Sequence, residues 1–61
     1  MQNNREAENK LKGIFEKYPT RQERYQAASN AFAIRAGSMQ DAVFRLWFDE
    51  RHKEFERNQS T

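Results

Sequence analysis

The stretch that decides the fold is "AIRAGSMQDAVFRLWF", residues 33–48, in which one glycine separates two apolar runs. Gly37 suits the left-handed backbone conformation that often ends a helix. Ser38 and Asp41 follow it at the spacing of a helix N-cap and the third residue after the cap. The stretch therefore predicts a corner between two helices.

On both sides of this corner, apolar residues recur at helical spacing, which predicts an all-α chain of three short helices. Pro19 ends the first helix, and Thr20 with Glu23 forms a capping box for the second. The predicted helices cover residues 3–18, 21–36 and 39–57, with Asn3 as the first cap and tight corners at Pro19–Thr20 and Gly37–Ser38.

The length of 61 residues allows one domain with a small core. A chain of this size buries only about 60% of its unfolded surface, which favours a dimer or folding against a partner. We expect one helical domain over residues 1–61, dimeric, with residues 58–61 as a frayed tail. Two arrangements remain open at this point, a small helical bundle and a helix-turn-helix-like crossing.

The composition excludes several classes of protein. The chain has no cysteine, so it forms no disulfide and no cysteine-ligated zinc site. It contains no long apolar run, so we expect no membrane span and no signal peptide, and we expect a cytoplasmic location. The net charge of +2 is modest. By analogy, compact cysteine-free chains of this kind are common among bacterial and phage regulators.

The third predicted helix carries more apolar surface than a single neighbour can cover. One of its sides is formed by Met39, Val43, Leu46 and Trp47, and an adjacent side by Phe44, Phe48 and Phe55. The phenylalanine side is either ordinary core or an open face that binds a second copy or another protein. For the open alternative we predict a partner-binding surface made of Phe44, Phe48 and Phe55, with Arg45 and Arg51 at its rim.

The second predicted helix offers an alternative function through its basic side chains. Arg21, Arg24 and Arg35 lie along one side of it. These arginines either form surface ion pairs with the third helix, each worth about 0–1 kcal/mol, or bind an anionic partner. With Arg45, they are the residues that we predict to contact DNA or RNA if the chain binds nucleic acid.

The corner also resembles a helix-turn-helix motif, because Ala33, Gly37, Val43 and Leu46 match its small, glycine and apolar positions. This resemblance implies a DNA-binding regulator. The residues of the third helix argue against it. Residues 38–61 carry four basic and five acidic side chains, whereas affinity for DNA comes mainly from Lys and Arg that neutralise phosphates.

Catalytic chemistry has little support in this sequence. His52 is the only histidine. Asp49 and Glu56 share its helical face, but solvated side chains are the expected outcome for such a trio. We therefore expect a non-enzymatic regulator or adaptor without cofactor, metal or small-molecule substrate, which acts by binding another macromolecule and not a membrane.

Overall fold

The computed structural model describes residues 4–59, which form three helices: α1 (Asn4–Lys17), α2 (Arg21–Ala31) and α3 (Met39–Gln59). The all-α prediction is confirmed for this part of the chain. The predicted cap Asn3 lies outside the described residues. α3 continues through Asn58 and Gln59, past the predicted end at residue 57. The remaining two residues of the expected frayed tail, 60 and 61, lie outside the described range.

The corner between α1 and α2 follows the prediction. The backbone N–H of Glu23 donates to the Thr20 hydroxyl oxygen at 3.2 Å, and the Thr20 hydroxyl donates to Glu23 Oε1 at 3.0 Å. Arg24 adds a hydrogen bond from its Nε–H to the carbonyl oxygen of Tyr18, at 2.7 Å. Together these bonds satisfy free groups at the adjoining ends of both helices.

The end of α2 differs from the prediction, because the helix stops at Ala31 and not at residue 36. Ala33 adopts a left-handed conformation with a φ of 56°. The N–H of Ala33 donates to the Asn30 carbonyl at 3.2 Å, and the N–H of Ile34 donates to the Ser29 carbonyl at 2.8 Å. This is the hydrogen-bond pattern of a Schellman motif. The predicted range 21–36 is wrong because Ala33 occupies the left-handed position that ends the helix, where glycine is usual.

The predicted two-residue corner before α3 is wrong as well, since a connection of seven residues, 32–38, separates the helices. Gly37 has a φ of 81°, so the left-handed conformation expected there is present, but it precedes α3 instead of ending α2. The predicted cap of α3 is confirmed, because the N–H of Asp41 donates to the Ser38 hydroxyl oxygen at 3.1 Å. Phe32 and Ile34 of the connection pack against the core.

The core lies between α3 and the other two helices. Its buried apolar residues are Leu11 and Phe15 of α1, Ala28 of α2, and Phe44 and Phe48 of α3. The rings of Phe15 and Phe48 meet edge to face with centroids 5.4 Å apart, and the rings of Tyr25 and Phe48 do the same at 4.9 Å. α1 and α2 therefore pack on the same side of α3, and its opposite side faces solvent.

Candidate interaction surface

The solvent-facing side of α3 carries three large apolar side chains. Met39 is 87% exposed, Val43 67% and Leu46 70%. Their spacing of four and three residues places them on one side of the helix, across successive turns. We call Met39, Val43 and Leu46 the outer face of α3. It is the candidate interaction surface of the described chain.

The outer face is exposed because α3 packs against α1 and α2 through a different set of residues. Its buried positions also recur at intervals of three and four residues, and they are Asp41, Phe44, Phe48 and His52. This set lies on the opposite side of the helix from Met39, Val43 and Leu46. The outer face therefore contributes little to the packing of the single chain.

The predicted anchor residues occupy the wrong side of the helix for an open contact. Phe48 is 0% and Phe44 8% exposed. Phe55 is half-buried, and its ring centroid lies 5.2 Å from that of Phe15. Of the two interpretations of this side of α3, the open face is wrong for Phe44 and Phe48, which α1 and α2 cover as ordinary core. The apolar surface that α3 leaves uncovered is the neighbouring set, which the sequence placed beside Trp47.

The two arginines predicted at the rim both contact groups of their own chain. Arg45 lies 3.8 Å from Asp41 and places its guanidinium 5.3 Å from the centroid of the Tyr25 ring. Arg51 pairs with Glu8 at 3.1 Å and stacks over Trp47. Both side chains therefore help to fasten α3 to the neighbouring helices.

Asp41 is a buried carboxylate that joins three parts of the fold. The Tyr25 hydroxyl donates to Asp41 Oδ1, and the Gly37 N–H donates to Oδ2 at 3.1 Å. The hydrogen bond from Tyr25, followed by that from Gly37 and the charge of Arg45, lowers the pKa of Asp41 below its ordinary value. This carboxylate therefore links α2, the connection and the first turn of α3.

The arginines predicted for nucleic-acid binding are mostly engaged within the chain. Arg21 forms an ion pair with Asp49 of α3. Arg24 lies with Nη1 2.9 Å from His52 Nε2 and with its guanidinium over the Phe55 ring. Arg35 is exposed. The ion pair of Arg21 agrees with the interpretation that these arginines pair with acids of the third helix. Because Arg21 and Arg24 are both engaged within the chain, fewer guanidinium groups are free to bind phosphate than the sequence suggested.

His52 is buried, being 3% exposed, which contradicts the expectation of a solvated side chain. Its ring stacks on Phe48 with centroids 5.6 Å apart and meets the Phe15 ring edge to face at 5.1 Å. Burial, opposed by the charge of Glu56 and assisted by that of Arg24, lowers the pKa of His52. Within residues 4–59 no cluster of three His, Asp or Glu side chains is arranged to hold a metal ion.

Beside the outer face, an open groove of about 600 Å³ runs between α1, the connection and α3. Its apolar lining consists of Ala7, Phe32, Ile34, Phe44 and Trp47. Its charged residues, Glu8 and Arg51, are paired with each other. The groove therefore extends the apolar surface next to Val43 and presents no unpaired acid or base.

Sequence reasoning missed two residues of the core side of α3, namely Asp41 and His52. The signal was available, because residues 41, 44, 48, 52 and 55 follow one another at intervals of three and four. Reading only the apolar residues hid the continuity of this set. Polar residues at positions 41 and 52 of this otherwise apolar set would need hydrogen-bond partners if the set were buried. This need indicated partners on another helix.

Comparisons with known proteins add no relative: no family model, no curated protein and no solved structure matches this chain significantly. Among the described residues, none of the helices combines the length and apolar character that crossing a bilayer requires. The surfaces of the chain itself are therefore what indicates its function.

Proposed function

We propose that this chain is a non-enzymatic interaction domain, a small regulator or adaptor that binds a protein helix through the outer face of α3. The observation that carries the proposal is the exposure of Met39, Val43 and Leu46, at 87%, 67% and 70%, on the side of α3 that its own core does not use.

The driving force for binding is the removal of apolar surface from water. Burial of apolar surface is favourable by about 25 cal/mol per Å², and clustered apolar side chains on a soluble domain often mark an interaction site. A helix of a partner that covers Met39, Val43 and Leu46 gains this free energy without disturbing the core. Because these residues do little for the fold of the single chain, binding is the role that their side chains support.

The nucleic-acid alternative draws less support from the same structure. Binding of phosphates by Arg21 or Arg45 requires each guanidinium to leave or share a carboxylate, Asp49 in the first case and Asp41 in the second. Acidic side chains next to the arginines also weaken the attraction for a polyanion. The outer face of α3 is free of this competition.

A photocrosslinking experiment tests the proposal. A benzophenone amino acid is placed at position 46, and in a matched control at position 12, an exposed lysine on α1. In the cells that make the protein, we expect covalent adducts with one defined protein species from position 46 and not from position 12. A Val43→Asp substitution should remove these adducts. The same diffuse adducts from both positions, or none from position 46, would overturn the proposal.

A further inference from the structure

We propose that the occupant of the outer face of α3 is a second copy of this chain, packed antiparallel with a twofold axis passing beside Val43. This inference rests on the proposed function and adds the identity and the geometry of the partner. It is carried by the order of apolar and charged residues along the side of α3 that contains the outer face.

The outer face occupies only the first half of this side of α3. Further along α3, the same side of the helix continues with exposed charged residues, namely Glu50, Lys53 and Arg57. A parallel pair in register would therefore set Glu50 against Glu50 and Lys53 against Lys53 of the second copy. Like charges in direct contact are destabilising, so the parallel arrangement is disfavoured.

An antiparallel pair centred on Val43 avoids these contacts and superimposes the apolar halves. In this arrangement Val43 lies against Val43 of the second copy. Measured along the helix, Leu46 lies about 4.5 Å from the twofold axis. Met39 of the second copy lies about 6 Å from the twofold axis in the same direction. The two side chains therefore cover each other, and twofold symmetry repeats the contact.

The charges that border the apolar patch are complementary under the same twofold operation. Arg35 precedes the patch, and it is held at the start of α3 because its carbonyl accepts hydrogen bonds from the Ser38 N–H and the Ser38 hydroxyl, at 3.2 and 2.7 Å. Glu50 follows the patch. Among residues 4–59, neither of these exposed side chains has a salt-bridge partner.

Antiparallel packing brings the two free charges together. Glu50 lies about 10.5 Å along α3 from Val43. In the reversed second copy, α3 begins at Met39, about 6 Å from the axis in the same direction. Glu50 therefore lies about 4.5 Å beyond the start of α3 of the second copy. The positive end of the helix dipole and Arg35 of the second copy both lie in that region. The two side chains that directly border the apolar patch, Arg35 and Glu50, therefore carry opposite charge and face each other in the reversed copy.

The contact is small, because each copy contributes three large apolar side chains. Interfaces that bury less than about 1,200 Å² in total are characteristic of weak or transient association. We therefore expect a monomer–dimer equilibrium that depends on protein concentration. Because the interface is closed by the twofold axis, association stops at the dimer.

Disulfide trapping tests the geometry, and the absence of native cysteine makes it specific. Cysteines form a disulfide when their Cα atoms lie within about 7 Å. We expect Val43→Cys to give a covalent dimer under mild oxidation. Leu46→Cys should not, because the two positions are offset by about 9 Å along the helices, and Glu50→Cys should not for the same reason. Trapping at all three positions would establish parallel packing and overturn the proposal.

A charge exchange tests the pairing of Arg35 with Glu50. We expect Glu50→Arg and Arg35→Glu each to raise the dimer dissociation constant about threefold to fivefold in sedimentation equilibrium. The double variant should recover part of the loss, because the ion pair is restored with its charges reversed while position 50 still faces the positive end of the helix dipole. Single variants that leave the constant unchanged, or a double variant weaker than both, contradict the proposed contact.

The two proposals fail in distinguishable ways. If the purified chain stays monomeric at every concentration and position 46 crosslinks to a different protein in cells, the second copy is wrong and the interaction face stands. If position 46 gives no specific adduct and the chain stays monomeric, both proposals are wrong. Adducts of the chain with itself at position 46, together with trapping at position 43 alone, support both.

Discussion

Arg24 of α2 places its Nη1 atom 2.9 Å from Nε2 of His52, a buried residue of α3. A guanidinium is always protonated and has no acceptor, so it donates this hydrogen bond. Nε2 of His52 must therefore carry its lone pair, and the ring proton lies on Nδ1, which faces Glu56 Oε1 at 3.8 Å. The contact holds the imidazole in its neutral form.

From this contact we expect stability to fall in mild acid. Folding lowers the pKa of His52 below its ordinary value of about 6.5, so the unfolded chain binds this proton more readily. The full contribution of His52 to stability is present above that value and is lost as the pH falls through the folded pKa. Urea unfolding between pH 7.5 and 5 should show a decreasing midpoint.

The control for this prediction is His52→Gln, whose amide oxygen can accept from Arg24 but does not titrate. The charged groups around His52 are Arg24, Arg21, Asp49 and Glu56. If the variant keeps the same decrease between pH 7.5 and 5, the decrease does not come from His52.

We expect Phe48→Ala to unfold the chain or bring it close to unfolding. Phe48 is 0% exposed, and removal of a buried phenylalanine ring costs about 3–5 kcal/mol, a large part of the stability of a small domain. Leu46→Ala, on the outer face, should change stability by less than about 0.5 kcal/mol in dilute solution. Circular dichroism at 222 nm during urea unfolding measures both. Retained helicity in the Phe48 variant would place that ring outside the core.

The two left-handed residues of the connection give opposite predictions. Gly37→Ala should destabilise the chain by about 1–2 kcal/mol, since an L-residue is strained at its φ of 81°. Ala33→Gly should stabilise it by up to about 1 kcal/mol, because it relieves the strain at a φ of 56° while adding freedom to the unfolded chain. Thermal unfolding compares the two. A loss of stability in Ala33→Gly would contradict the motif that ends α2.

A double-mutant cycle should show that Tyr25 and Asp41 act together. Tyr25→Phe removes the hydrogen bond to the carboxylate, and Asp41→Asn removes its charge. We expect each variant to be destabilised and the double variant to lose less than the two effects added, because both remove one interaction. The effect of Tyr25→Phe should also shrink in acid, since folding lowers the pKa of Asp41 and protonation weakens the bond. Strict additivity would show that the pair is not coupled.

Gly13→Ala in α1 should stabilise the chain by about 0.5–1 kcal/mol. Gly13 lies inside the helix, and an added Cβ atom would meet nothing within 4 Å. Alanine is the better helix former by about that amount. Thermal unfolding measures the gain, and a decrease would show that another helix approaches this position.

The parts of the fold that follow local rules were predictable. Pro19 and the cap at Thr20 place the first corner, and the cap at Ser38 places the start of α3, because these signals act within four residues of the chain. The end of α2 was not predictable by the same rules. Local preference favours helix for residues 33–36, which include two alanines. The helix nevertheless ends at Ala31, and the residues that follow it, Phe32 and Ile34, pack against the core, which is a tertiary contact.

The sequence by itself determined that α3 has too much apolar surface for one neighbour, and it identified the residues of both of its sides. Only the tertiary structure decided which side becomes core. The side of α3 with Phe44 and Phe48 becomes core because the polar residues on that side, Asp41 and His52, also find partners there. Tyr25 and Arg24 of α2 form hydrogen bonds with Asp41 and His52, respectively. Side-chain periodicity places residues on a helical face, but which face is buried depends on partners that are distant in the sequence.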